Sequence, residues 1–474
     1  MSKLISRFAF SIVLLLFVGT SVHLAWMKPP FCDEIFSYYH SKGGDYNQFL
    51  DQTKSGFNRM PPLYFLFCKL FFSAENFLFQ ARLFSLFTSL LSILYLYKIA
   101  RVWLDENLSF LLSFSLLTSA SAFQEYAIEA RPYSLCFFWC VLFVYQILKF
   151  EIHGRKSKLD KFFLFTLCLL LPSSHYLYGV TALFVGIAHV NFTQFDKFEI
   201  LKIYILAGVI FAALHLGIFI EQQHFGNLLA MIAYPTFEVI GDYILGFVAT
   251  PVLLLFISFW LTMFFKSKKS WMIKESSLLL SPLSFSLIVA FLFGVSLARV
   301  FPEGMWVLPR YYLGMLLVFP LFLIFLFSML KKENKAPNTL LTILIFPLSS
   351  VLFLKSYKHK KYYYENEWMQ SYQRHIPAEI RNSKLPIYTK DIILFFYYIY
   401  EDKNIYYLCG APDLVSKIAK FAPNYTKYIL KESEISLPSI FINIGKGTPN
   451  LDGKIKFSSS ACNVGPVHSV YNLE

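Results

Sequence analysis

Residues 8–40 read FAFSIVLLLFVGTSVHLAWMKPPFCDEIFSYYH. The stretch 8–27 holds no Asp, Glu, Lys or Arg and follows Lys3 and Arg7. As a helix rising ~1.5 Å per residue it spans ~30 Å, the thickness of a bilayer's hydrocarbon core. Lys28-Pro29-Pro30 ends the run, and the adjacent carboxylates Asp33 and Glu34 follow at once. A basic start before an apolar run also describes a secretory signal peptide. The apolar run is long and no small-x-small cleavage site precedes the acids, so the segment reads as an uncleaved first span.

The rest of the chain extends this reading. Of its 474 residues, 56% are hydrophobic and 19% aromatic, above the ~45–50% apolar content of soluble domains. The excess falls in blocks near 8–27, 81–100, 108–123, 133–150, 162–178, 179–195, 201–220, 240–265, 277–298, 311–330 and 339–356. These predict a polytopic α-helical membrane protein of about 11 transmembrane helices. The boundary between 162–178 and 179–195 rests on PSSHYLYG, Pro172 to Gly179, where Pro, Ser and Gly punctuate a continuous apolar run. The 53 Phe and 30 Tyr suit lipid-facing helices and interfacial belts.

The net charge of +13 is topological rather than a nucleic-acid footprint, and no nucleic-acid motif accompanies it. With Lys3 and Arg7 inside, alternate turns carry Lys98/Arg101, Arg155/Lys156/Lys158/Lys161, Lys197/Lys202, Lys266/Lys268/Lys269 and Lys331/Lys332/Lys335. All are basic, as cytoplasmic loops are. The odd number of spans then puts the C-terminus outside. The expected location is an inner (plasma) membrane, with the outer loops facing the periplasm.

Those outer loops (28–80, 124–132, 173–178, 221–239 and 299–310) collect Asp33, Glu34, Arg59, Glu129, Arg131, His175, Glu221, His224, Arg299 and Arg310. Ionisable groups at membrane depth are expensive and usually functional. The arrangement predicts a 1–356 transmembrane catalytic domain whose first outer loop is 28–80. From Tyr357 the charge rises and the apolar runs shorten. The segment 365–382 reads as a helix. LPIYT, NIYYLCG and PSIFINIG read as short strands, with helices near 391–401 and 411–421 between them. This predicts a small α/β extracytoplasmic domain over 357–474 with a short parallel sheet.

The seven Cys are scattered. Cys136 and Cys140 lie one helical turn apart in an apolar run, where core packing is the first reading. Cys409 and Cys462 would pair only in an oxidising compartment.

Four stretches carry the chemistry: Asp33-Glu34; NRMPPLYFL, Asn58 to Leu66; QEYAIEARPYSL, Gln124 to Leu135; and LPRYYLG, Leu308 to Gly314. Together with QARLFSL opening the second span, their order resembles the GT-C class of membrane glycosyltransferases. The nearest branch is the bacterial RgtA/B/C/D-like one, related to protein O-mannosyltransferases. The resemblance covers residues 8–330. It implies a polyprenyl phosphate sugar donor, an acceptor glycan, lipid or protein, and Asp33 as general base in an inverting transfer, with Glu34 orienting a neighbour or the acceptor. A leaving lipid phosphate calls for a guanidinium. The candidates are Arg131, Arg310, Arg59 and Arg299, in falling order, with Glu129, His175 and Tyr311 as further donor contacts. The chain departs from related branches at Arg59-Met60, where they carry Glu-Lys or His before the Pro pair, so the acceptor class does not transfer.

Each residue has a plainer reading. Asp33 or Glu34 would cap the helix IFSYYH. Glu129 and Arg131, two apart, do not share a helical face. His175 is a hydrogen-bonding residue at a span end unless HYLYG faces the site. Tyr38, Tyr39, Tyr64, Tyr311 and Tyr312 serve as interfacial anchors by default. The residues assign no particular cofactor. A divalent metal on His175, His224, Glu221 and Asp33 is left open, without support from their spacing. Two other classes compete: a transporter or flippase, against which stands the lack of an inverted repeat, and a non-catalytic envelope assembly protein.

Overall fold

The computed structural model describes residues 2–223 except 31, 43, 56–57, 59, 116–117, 119, 154–156 and 194–195. Beyond these it describes 280–300, 314, 316–330, 354–362, 364 and six strand segments between 387 and 473. The chain forms two compact units. One comprises Met1–Trp26, Met60–Phe72 and Phe79–Tyr357; the other comprises Met27–Arg59, Ser73–Leu78 and Lys358–Glu474.

The first unit is helical. Three described helices are long and apolar enough to cross a membrane: Phe77–Arg101, Tyr133–Ile152 and Lys197–Gln222. Shorter apolar helices run over Ser11–Met27, Tyr176–Phe192 and Pro282–Phe293. Their burial differs sharply. Two thirds of the apolar window at Tyr133–Ile152 is inside the protein, against 11% at Lys197–Gln222. The first is a central helix. The second presents Leu201, Ile205, Val209 and Leu216 outward, an apolar surface that bilayer hydrocarbon accommodates and water does not.

Lys158–Ser174 is the hub, packed against Tyr133–His153, Tyr176–Phe192, Lys197–Gln223 and Leu63–Phe71. Tyr176–Phe192 packs on Leu280–Val300, which packs on Val318–Leu330. Hydroxyls inside the spans satisfy themselves: Ser89 donates to the Ser85 carbonyl and Ser92 to that of Thr88, each at 2.9 Å. No water is needed to complete them.

The break expected within 165–195 falls on a single residue. The chain is helical to Ser174 and again from Tyr176, with His175 extended between (φ −162°, ψ 127°). Its Nδ1 accepts from the Leu177 amide at 3.3 Å, capping the second helix. Pro172, which supplies no N–H, lies in the last turn of the first. Gly186 lets the next crossing close, because a Cβ there would stand 3.1 Å from the Tyr204 ring. At that crossing the Glu151 carboxylate accepts from the His189 Nε2–H at 2.9 Å and from the Thr193 hydroxyl. His189 Nδ1 in turn accepts the Tyr204 hydroxyl at 2.8 Å. Three helices are pinned by one buried polar chain.

Two expected spans are corrected. Residues 108–123 do not form one helix: Glu106–Phe110 passes into a π-helical turn, Leu111–Ser115, and a separate helix covers Ser121–Tyr126. The Ser113 and Thr118 hydroxyls bond back to the Ser109 and Phe114 carbonyls. Ala120 is extended, and the Gln124 amide takes the Thr118 carbonyl. Polar side chains compete with the regular ladder there. In the second, the helix expected from 311 begins at Val318, after a tighter turn through Leu316-Leu317. The segments 240–265 and most of 339–356 lie outside the described residues.

The second unit contains the helices Cys32–Lys42 and Tyr46–Lys54 and a six-stranded sheet. The helices are joined through Gly44, whose φ of +152° admits no Cβ because Gln48 fills that space. The sheet strands are β1 (Ile387–Thr389), β2 (Ile405–Leu408), β3 (Ile429–Leu430), β4 (Ser439–Ile444), β5 (Asn463–Val464) and β6 (His468–Leu473), in the order β3-β2-β1-β4-β6-β5. LPIYT, NIYYLCG and PSIFINIG each contain a strand. The three expected strands β2, β1 and β4 pair in parallel, and β3 adds a further parallel strand beside β2, while β6, which was not expected, runs antiparallel to β4 and β5. A short β5–β6 pairing adds an antiparallel edge, as on many otherwise parallel sheets. The helices expected at 391–401 and 411–421 lie outside the described residues.

Candidate functional site

Asp33 and Glu34 occupy the first turn of Cys32–Lys42, where the helix dipole favours negative charge. Their environments differ. Glu34 is fully buried and its Oε1 lies 3.5 Å from Lys28 Nζ, itself 7% exposed. Asp33 is half-buried, and its backbone carbonyl accepts the Ser37 hydroxyl at 3.1 Å. Of the two acids Asp33 is the less buried, although its Oδ2 is itself enclosed. Glu34 and Lys28 form an internal ion pair that holds the chain where it enters this helix.

The same helix is braced from its other end. Thr53 Oγ1 donates to the Phe49 carbonyl, so at 2.8 Å it accepts from the His40 Nε2–H. Tyr38 meets Tyr39 and Phe77 edge-on, and burial pushes its phenol above the usual range. Tyr39 and Tyr64, expected as interfacial anchors, are fully buried and serve as core.

In the first unit the Pro-Pro and Glu-Ala-Arg-Pro stretches come together. Arg131, 4% exposed, points its Nη2 at Met60 Sδ, 3.5 Å away. Gln222 donates to the Met60 carbonyl at 3.3 Å from a position 162 residues away in sequence. The Arg131 guanidinium lies 5.7 Å from the Tyr133 ring, and Tyr133 faces His175 at 6.2 Å. Ser85 Oγ donates to the Glu129 carbonyl at 2.6 Å. This fixes the turn in which the Arg131 amide bonds the Glu129 carbonyl at 2.8 Å. Glu129 is buried beside it. A guanidinium inside a helical unit is costly unless it serves an anion or a dense set of acceptors.

Arg59, Arg310, Tyr311, Tyr312 and His224, and the side chain of Arg299, lie outside the described residues. Glu221 is exposed on the helix that carries Gln222. Among the described residues no three His, Cys, Asp or Glu side chains stand close enough to hold a metal. Three contributors escaped the sequence reading. Lys28 reads in the sequence only as the residue that ends the first apolar run. Arg82, buried and donating to the Ala25 carbonyl at 3.0 Å, was visible only as part of QARLFSL. Gln222 had no local signal at all.

No family model matches the sequence, and no curated protein matches it. Solved structures do. ArnT from Cupriavidus metallidurans bound to undecaprenyl phosphate superimposes with a TM-score of 0.55 and 12% identity, over 96% of this chain and 97% of that one. The apo state of the same protein gives 0.53 at 12% identity, over 97% and 98%. The likeness runs along essentially the whole of both chains, so this protein has that protein's fold.

Proposed function

We propose that this chain is a membrane glycosyltransferase of the GT-C type that moves a sugar from a polyprenyl phosphate carrier to an acceptor hydroxyl at the outer face of the membrane. The observation that carries the reading is the end-to-end likeness to a fold crystallised with undecaprenyl phosphate, in a chain that puts a half-buried Asp33 on the first turn after its first apolar helix.

The chemistry follows from the groups present. The Asp33 carboxylate accepts the proton of the acceptor hydroxyl as that oxygen bonds to the anomeric carbon. The bond from the anomeric carbon to the phosphate oxygen breaks on the opposite side, and configuration inverts. The electron pair leaves on the lipid phosphate, whose growing charge a guanidinium stabilises. Arg131 is the first candidate for that role, with Arg310 and Arg59 behind it. Glu34, held by Lys28, sets the position of the Asp33 turn rather than taking a proton. The RgtA/B/C/D-like and protein O-mannosyltransferase subtypes, the inner-membrane location and the outward 357–474 domain belong to the same reading.

The test is transfer of label from radiolabelled polyprenyl phosphate sugars by membranes holding the wild type or Asp33→Asn at equal expression. A positioned base contributes about a hundredfold or more, so Asp33→Asn should fall at least that far while its thermal unfolding stays unchanged. Equal transfer by both would move the base elsewhere. No transfer from any donor by the wild type would remove the enzyme reading.

A further inference from the structure

A second site lies at the basic ends of two spans. Between the last turns of Phe77–Arg101 and Tyr133–His153 is a cavity of about 290 Å³. Lys98, Arg101 and Lys149 line it, with Tyr145, Val102 and Ile152 among its walls. Cations at helix C-termini are ordinary, since they answer the dipole and the positive-inside rule. The magnitudes leave charge over. Lys149 is neutralised by Asp160 at 2.8 Å. Lys98 Nζ sits 4.4 Å from the centre of the Tyr95 ring, and Arg101 donates to the Leu104 carbonyl at 2.9 Å. Neither has a carboxylate partner among the described residues. Two helix ends supply roughly half a negative charge each, so about one positive charge remains in the concavity.

The site is also amphipathic. Val102, Ile152 and the body of Tyr145 offer apolar wall directly beside the cations. A small soluble anion uses the charge but not the wall. A phospholipid uses both, and basic pockets between membrane helices take anionic headgroups. We propose that this cavity binds the phosphodiester headgroup of an anionic phospholipid, with its acyl chains lying along Val102 and Ile152. The proposal rests on the chain lying in a bilayer and not on the transferase reading.

The test uses the full-length protein in detergent, titrated with phosphatidylglycerol or phosphatidylcholine and followed by native mass spectrometry. The wild type should hold phosphatidylglycerol preferentially. Removing both unneutralised cations in Lys98→Gln/Arg101→Gln should weaken it about thirtyfold, at the rate expected per surface cation. Ile152→Trp fills the cavity without changing charge and should weaken it as well. Soluble glycerol phosphate should not displace the lipid. Binding unchanged in the double variant, or in Ile152→Trp, would overturn the site. Displacement by glycerol phosphate at equal concentration would overturn the lipid and leave a soluble phosphate ester as ligand. If the double variant does not fold, Ile152→Trp decides the question alone.

Discussion

Lys28 and Glu34 show how much one pair controls. Both are buried, and their 3.5 Å separation makes an ion pair rather than a tight hydrogen bond. Removing one partner of such a pair costs about 3–5 kcal/mol, because the other charge is left in a poor medium. Lys28→Met should therefore lower the thermal unfolding temperature markedly, and adding Glu34→Leu should restore much of the loss. A single mutant as stable as wild type would show that the pair is solvated. Asp160 gives a pH-dependent counterpart. Hydrogen bonds from Lys149 and Ser157 hold its carboxyl down from 3.8 to about 2. A depressed folded-state value stabilises the protein above the ordinary carboxylate range, and that contribution is lost as pH falls toward 2. Lys149 is 41% exposed, so solvent screening limits the gain to about 1 kcal/mol. Asp160→Asn should lower stability by that amount at pH 7, and the difference should vanish near pH 2. A constant difference across the range would mean that the carboxylate's charge plays no part.

At the scale of elements, the closeness of the helices depends on small residues and on internal polar bonds. Gly186→Ala would place a methyl 3.1 Å from the Tyr204 ring. That ring cannot retreat without losing its bond to His189. Overpacking of this kind costs about 1–3 kcal/mol, whereas Tyr204→Phe, which removes only the hydroxyl, should cost about 1 kcal/mol. Thermal unfolding in detergent measures both, and a Gly186→Ala variant no less stable than Tyr204→Phe would show that the crossing has slack. The helix boundaries near here were legible because Pro172, Ser174 and Gly179 punctuate an apolar run. The division of 108–123 was not. Its hydrophobicity is continuous enough for a span, and what breaks it is hydroxyl and amide bonding to carbonyls, which periodicity does not register.

Across the whole molecule, the apolar helices Phe77–Arg101, Tyr133–Ile152 and Lys197–Gln222 were readable because apolar length is a one-dimensional signal. The end-to-end likeness to ArnT agrees with a fold read from that signal. The candidate site was legible only in part. The acids' position at a helix start follows from sequence; that Glu34 is tied to Lys28, and Arg131 to Met60 and Tyr133, depends on contacts no local pattern carries. The 162-residue reach from Gln222 to Met60 is the plainest case. The sheet has the same character. Strands β1, β2 and β4 stood out as apolar runs beside turn residues, whereas His468–Leu473 has no such run and earns its place by pairing.

That pairing bears on how the protein is made. β6 lies between β4 and β5, although it is synthesised after both. Until β6 inserts, Ser439–Ile444 has a bare edge on the side away from β1. A bare apolar strand edge is the kind of surface that recruits other chains. Removal of His468–Leu473 would therefore leave the sheet at its most aggregation-prone, with β5 stripped of its partner as well.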